Sequence, residues 1–213
     1  MAASPPYGVE SDVSAAGLAA GPNGCRVSDA PCEQPDQGCP HLPPFWHDGT
    51  ERPIHRPKDP EEQQDHYSGK KKCHTVKNLL VIHESCHICF LSATYEGKMH
   101  DKSVADLEGY SLPHGSCLYQ DMGFQGFLLN GITIVQPKKK PRGGELTPPE
   151  KATNRRIASI RIRIEHAIGG VKRYRIVKDK IRLFKDGIRD TIMETCCGLH
   201  NFRLQYRPWR YAS

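Results

Sequence analysis

The apolar positions fall into stretches of two different periods. From 70 to 91, Thr75, Val76, Leu79, Leu80, Val81, Ile82, Ile88, Phe90 and Leu91 mark two β-strands, and residues 83–87 form the turn between them, which predicts a hairpin. Further on, Ile157, Ile160, Ile164, Ile168 and Val171 recur at steps of three and four, the stripe of a helix docked on a core. Thr147-Pro-Pro-Glu150 supplies its start: a threonine cap, prolines in the first turn and a glutamate three residues after the cap. This helix is predicted to run to about Arg175, with Gly169-Gly170 as a kink.

A second amphipathic helix is predicted from Gly187 to Leu204, with Ile188, Ile192, Thr195, Leu199 and Phe202 inward. Shorter elements lie between. Residues 100–107 have helical character and stop before Gly109; residues 116–121 read as a buried strand delivering Asp121 at its end; residues 132–135 read as another strand. Residues 1–42 are rich in Ala, Pro, Gly, Ser and Asp without periodicity, too little apolar matter to offset the entropy of ordering, and are expected to be disordered. That leaves one α/β domain over 43–206 and a tail at 207–213.

Charge sharpens this outline. The net +6 over 213 residues hides an asymmetry, because residues 138–213 hold 20 Lys and Arg against 7 Asp and Glu. A basic block of this kind is a footprint for a polyanion, most often nucleic acid. Its exposed candidates are Lys138, Lys139, Lys140 and Arg142 in a loop, and Arg161, Lys172, Arg173 and Arg175 on and after the helix. No apolar run is long enough to predict a membrane span. Nine cysteines without a secretory signal predict reduced thiols in a protein that is not secreted. Of two cysteine clusters, Cys25, Cys32, Cys39 with His41 has long even gaps in a Pro- and Gly-rich tract, and His83, Cys86, His87, Cys89 lies at a strand turn with no second pair downstream, so neither predicts a tetrahedral zinc site.

Glu165 is a single carboxylate inside the basic helix. It reads either as a group holding a metal beside phosphate or as a surface partner of Arg161, four residues back. With Asp48 and Asp121, each shortly before a glycine at an expected strand end, it makes a set suited to a two-metal phosphodiester site. Spacing alone is a weak reason to choose three acids from 24.

The wording around these acids says more. The segments Asp48-Gly-Thr-Glu-Arg-Pro-Ile54, Tyr67-Ser-Gly-Lys-Lys-Lys-Cys-His-Thr-Val-Lys-Asn78, Gly97-Lys-Met-His-Asp101, Asp121-Met-Gly-Phe-Gln-Gly126 and Arg161-Ile-Arg-Ile-Glu-His-Ala-Ile-Gly-Gly-Val-Lys-Arg-Tyr-Arg175 closely resemble the DDE superfamily transposases of bacterial insertion sequences and their Harbinger-like relatives. The resemblance runs from about 45 to 205. It implies a ribonuclease H-like mixed sheet flanked by helices, and a Mg²⁺- or Mn²⁺-dependent endonuclease that cleaves and transfers DNA strands. Asp48, Asp121 and Glu165 would be its catalytic and metal-binding residues, and transposon-end DNA its partner, with self-association into a homo-oligomer compatible with it. The compartment implied is the cytoplasm or nucleoid of a bacterium or the nucleus of a eukaryote. Asp101 belongs to one of the motifs and reads as a structural residue at a helix start.

Two departures qualify the likeness. Such transposases carry a Val- and Ile-rich strand before Asp-Gly-Thr and a helical DNA-binding region before that. Here His41-Leu-Pro-Pro-Phe-Trp-His47 stands in the strand's place, which predicts a degraded first strand, a loosely held Asp48, and a 5′-truncated or rearranged copy. The alternative function is accordingly a non-catalytic DNA-binding protein derived from a transposase.

Overall fold

The sheet is built around one strand, Cys73–His83, whose apolar run is buried on both faces. In the computed structural model, which describes residues 44–183, 185 and 187–209, the elements are β1 (Phe45–Pro53), α1 (Pro60–His66), β2 (Tyr67–Ser68), β3 (Cys73–His83), β4 (Ile88–Leu91), β5 (Tyr95–Glu96), α2 (Asp101–Glu108), β6 (Cys117–Tyr119), a short 3₁₀ turn (Met122–Phe124), β7 (Thr133–Val135), α3 (Pro148–Val171), α4 (Arg175–Lys178) and α5 (Ile188–Tyr206). The tract 1–42 expected to be disordered lies outside the described residues, as does most of the 207–213 tail.

The strand order is β2-β3-β1-β6-β7, with β4 and β5 also paired to β3. β1 is antiparallel to β3 and parallel to β6, and β6 is parallel to β7, so the sheet is mixed. Alternation along β3 sends Leu80 and Ile82 to a core shared with α3, α4 and α5, and Leu79 and Val81 to a core shared with α2 and Phe124. A strand covered on both sides needs an unbroken apolar run, which is what Leu79 to Ile82 supplies. Each such side chain contributes about 1.5–3 kcal/mol by leaving water. The expected hairpin is present, with Leu80 facing Leu91 and Val81 facing Phe90.

The first strand is not degraded. Pro44 stands just ahead of it, and β1 then makes an unbroken nine-residue ladder with β3, from Phe45 opposite His83 to Pro53 opposite Thr75. Its far end is anchored by Arg52, fully buried, which donates to Arg189 O (2.9 Å), Asn78 Oδ1 (2.7 Å) and Thr94 Oγ1 (2.9 Å). Asp48 therefore sits in the middle of a central strand and not at a strand end.

α3 begins as its residues dictate. Thr147 accepts from Glu150 N, and Thr147 N donates to Glu150 Oε2 (2.8 Å), a reciprocal cap that satisfies two backbone donors at the helix start. Ile157, Ile164, Ala167 and Val171 are buried, so its apolar stripe holds. The helix stops at Val171, four residues short of Arg175. Gly170 is no kink but a close approach, since a methyl there would strike the ring of His200.

α5 is rotated from the expected phase. Its buried residues are Ile192, Met193, Cys196, Cys197, His200, Asn201 and Leu204, while Thr195, Leu199 and Phe202 face out. Two polar residues explain the difference. Asn201 bonds both backbone groups of Ile88 in β4 (2.9 Å each), and His200 Nε2 reaches Cys86 O (3.1 Å), so polar bonds across the interface fix which face is inward.

Candidate active site

Three elements bring charge together on the face of the sheet that α3 covers. Asp48 follows Trp46 by two residues on β1, so its side chain points to the α3 layer. In β6, Tyr119 lies opposite Trp46 in parallel register, and two residues further on Asp121 emerges on the same side. Asp121 caps the 3₁₀ turn, its Oδ1 accepting from Met122 N (2.6 Å). From the facing layer α3 extends Arg161. Its guanidinium lies 3.4 Å from Asp48 Oδ2 through Nη2 and 3.3 Å from Asp121 Oδ1 through Nη1. One cation thus bridges two carboxylates from neighbouring strands.

Glu165 follows one turn later on α3 and is exposed. It shares an open cleft of about 290 Å³ with Asp48, Thr50, Glu51, Lys70, Lys71 and Lys172. Arg161 thus pairs with the aspartates rather than with Glu165, and it faces the sheet instead of projecting outward. Burial pushes the Asp48 carboxyl up to about 6, against the pull of Arg161 and the Gly49 N–H (2.8 Å), with Asp101 and Asp121 adding to the rise. Burial, with Lys71 beside it, lowers the Lys172 ammonium below its ordinary value.

The profile of the DDE superfamily endonucleases matches residues 47–201. The chain belongs to this family. Over 159 residues the chain is 30% identical to a probable transposase for insertion sequence element IS702 of Microchaete diplosiphon, a match covering 74% of this chain and 56% of that protein. The chain thus spans about half the length of that relative. No solved structure matches it.

The donor set of this cleft suits a divalent cation in part. Asp48 and Asp121 offer hard oxygens around a position that already holds a positive charge. Glu165 reaches the cleft from the Asp48 side; among the described residues no three His, Cys, Asp or Glu side chains stand close enough to hold a metal as arranged.

Behind the carboxylates lies a polar chain that the sequence did not reveal. Gln120 Nε2 donates to Phe124 O (3.3 Å) and Gln136 Oε1 (3.1 Å), which leaves Gln120 Oε1 to accept from His47 Nε2 (3.1 Å). Burial drives the His47 imidazole down to about 3, so the ring is neutral and Nδ1 accepts from the Tyr110 hydroxyl (2.5 Å). Gln136 Nε2 then donates to Asp121 O (3.1 Å), tying this chain to the Asp121 turn. Its only signal in the sequence was the polar character of His47 and Gln120 inside apolar segments.

The basic candidates divide by environment. Lys138, Lys139, Lys140 and Arg142 are exposed, with Lys138 paired to Glu150 and Lys140 to Glu145 (3.9 Å). Arg173 is exposed and Arg175 pairs with Asp179 (2.9 Å). Lys70 and Lys71, which the sequence reading left without a role, line the acidic cleft. Among the described residues no helix is long and apolar enough to cross a membrane. Cys25, Cys32, Cys39 and His41 lie outside the described residues; His83, Cys86, His87 and Cys89 surround the β3–β4 turn.

Proposed function

We propose that this chain is the catalytic domain of a transposase, of ribonuclease H-like fold, performing divalent-metal-dependent DNA strand cleavage and transfer. The observation that carries this reading is the convergence of Asp48 and Asp121 on a single cation, from adjacent parallel strands, one helical turn from Glu165. The similarity to a probable IS702 transposase supports the same class of reaction.

In this reading Asp48 and Asp121 would hold the ion, with Glu165, which lines the same cleft as Asp48, as the third carboxylate. A bound Mg²⁺ or Mn²⁺ supplies a Lewis acid for the phosphodiester and an activated hydroxyl nucleophile. Lys70, Lys71 and Lys172 line the cleft and meet phosphate oxygens, orienting the backbone before the acids. The burial that raises Asp48 also excludes water, which strengthens every charge interaction at that point. Transposon-end DNA is the substrate, and the exposed Lys138–Arg142 loop and Arg173 extend the track for it.

One observation favours a second reading. The Arg161 guanidinium fills the position between the aspartates, as a fixed internal ion pair would in a DNA-binding protein that no longer turns over. Nicking of supercoiled plasmid in Mn²⁺ separates the two. We expect activity in the wild type and a loss of at least about a hundredfold in Asp121→Asn and in Glu165→Gln, with DNA binding retained. Equal nicking by wild type and both variants would remove the catalytic reading.

A further inference from the structure

The Asp101 carboxylate stands at the first residue of α2, where the helix dipole favours negative charge. Lys77, nearly buried on β3, holds it there: Nζ lies 2.8 Å from Asp101 Oδ1 and donates to Met99 O (2.7 Å). The carboxylate presses on two glycines. A Cβ on Gly49 would stand 2.5 Å from Asp101 Oδ1 and 3.0 Å from Cγ, and one on Gly123 would stand 3.1 Å from Oδ2. Gly49 follows Asp48 directly, and Gly123 is two residues past Asp121.

From these contacts we infer that Asp101 is a positioning residue: its carboxylate is a spacer between the backbones carrying Asp48 and Asp121, and Lys77 holds the spacer in place. The inference rests on the reading that these two aspartates carry the chemistry. Asp48 and Asp121 point to the α3 layer, whereas Gly49, the next residue on the strand, presents its α-carbon to the opposite layer, where α2 lies. Asp101 thus acts from behind, through the main chain. This also gives the two glycines a reason beyond turn formation. Any side chain at Gly49 would drive the spacer out, and loss of the spacer would let the two segments drift.

The partners on every side fit this role. Lys77 approaches from β3, Gly49 from β1, and Gly123 from the turn after β6, while Val104, Ala105 and Phe124 pack α2 against that turn. Asp101 is spent on a cation of the protein itself, so its contribution is shape rather than coordination.

The test is Mn²⁺ binding to the full chain, by calorimetry and Mn²⁺ spin resonance, with thermal melting in chelator alongside. Asp101→Ala should bind Mn²⁺ about ten- to a hundredfold more weakly, the range for residues that orient metal ligands, while Asp101→Asn, which keeps the shape, stays within about threefold of wild type. Gly49→Ala should weaken binding alone and less than additively with Asp101→Ala, because the methyl refills the vacated space. Asp101→Ser withdraws the carboxylate but keeps a residue suited to a helix start, and gives the same reading should the alanine variant fail to fold.

Wild-type affinity in a folded Asp101→Ala or Asp101→Ser protein would overturn the proposal, as would equal losses in the Asn and Ala variants. If the wild type itself binds no Mn²⁺, the catalytic reading fails on its own. The spacer is then judged from the melting cycle without metal, in which a smaller cost of Gly49→Ala in the Asp101→Ala background supports it and strict additivity overturns it.

Discussion

Arg161 and Asp121 belong to different layers of the fold, yet Nη1 of one lies 3.3 Å from Oδ1 of the other, while Nη2 reaches Asp48 at 3.4 Å. Two half-buried carboxylates this close need a cation between them. Arg161→Gln should therefore lower the stability of the protein in chelator by about 2 kcal/mol, the scale of a lost charge-assisted hydrogen bond. Mn²⁺ should then raise its melting temperature more than it raises that of the wild type, because the ion meets no competing guanidinium. Identical melting of the two proteins in chelator would show that the bridge carries no weight.

The raised Asp48 carboxyl gives cation binding a pH dependence. The group must ionise to hold a metal, and in the metal-free fold it does so only near pH 6, above its ordinary value of 3.8. Its contribution to folding is fully present below about pH 3.8 and is lost as pH rises through about 6. Metal affinity runs the other way. Titrations should show Mn²⁺ binding tightening by up to about tenfold from pH 5 to 7, most of it below pH 6, and levelling off above pH 7. Affinity independent of pH over that range would mean that Asp48 is not a ligand.

Much of the fold around this site was legible because local signals were redundant. The capping box at Thr147 and Glu150, the isoleucine stripe and the β3–β4 hairpin each had a pattern matched by the folded chain. What escaped was set by contacts distant in sequence. Two prolines made the segment before Asp48 look unfit for a sheet, but the strand begins after them and is held by Arg52, whose partners Asn78, Thr94 and Arg189 lie up to 137 residues away. Likewise, the outward Leu199 and Phe202 carry the same period as the true inner face of α5. Only the bonds of His200 and Asn201 to the β4 region decide between the two faces. Arg161 looked like one more solvent-facing cation because nothing in its neighbourhood names the two aspartates, 113 residues before it and 40 residues before it, that it bridges.

Two buried histidines should govern the acid limb of stability. Burial lowers His47 to about 3 and His200 to about 4, from an ordinary 6.5. A histidine held neutral contributes stability that is present above pH 6.5 and is lost as pH falls through the folded value. Between pH 6 and 4 the unfolded chain binds more protons at both histidines than the folded one, so stability falls with falling pH, and the recovering Asp48 partly offsets that fall. Urea melts should therefore show stability falling from pH 6 to 4, and His200→Gln should flatten that fall. An unchanged slope in the variant would place the acid sensitivity elsewhere.

DNA affinity is expected to depend on the free cations more than on their number. Lys138 is committed to Glu150 and Lys140 lies near Glu145, so neutralising them releases carboxylates as well as removing positive charge. Among the described residues Lys139, Arg142 and Arg173 have no such acidic partner and are exposed. Each phosphate contact contributes about 0.9 to the slope of log affinity against log salt. Replacing Lys139, Arg142 and Arg173 together should flatten that slope by about 2 to 3, whereas replacing Lys138 and Lys140 should change it by less than about 1. The measurement is duplex binding by fluorescence anisotropy between about 50 and 200 mM salt. Equal changes for the two sets would mean that the ion pairs open at no cost when DNA binds; no change for either would remove this loop and the segment after α3 from the DNA track.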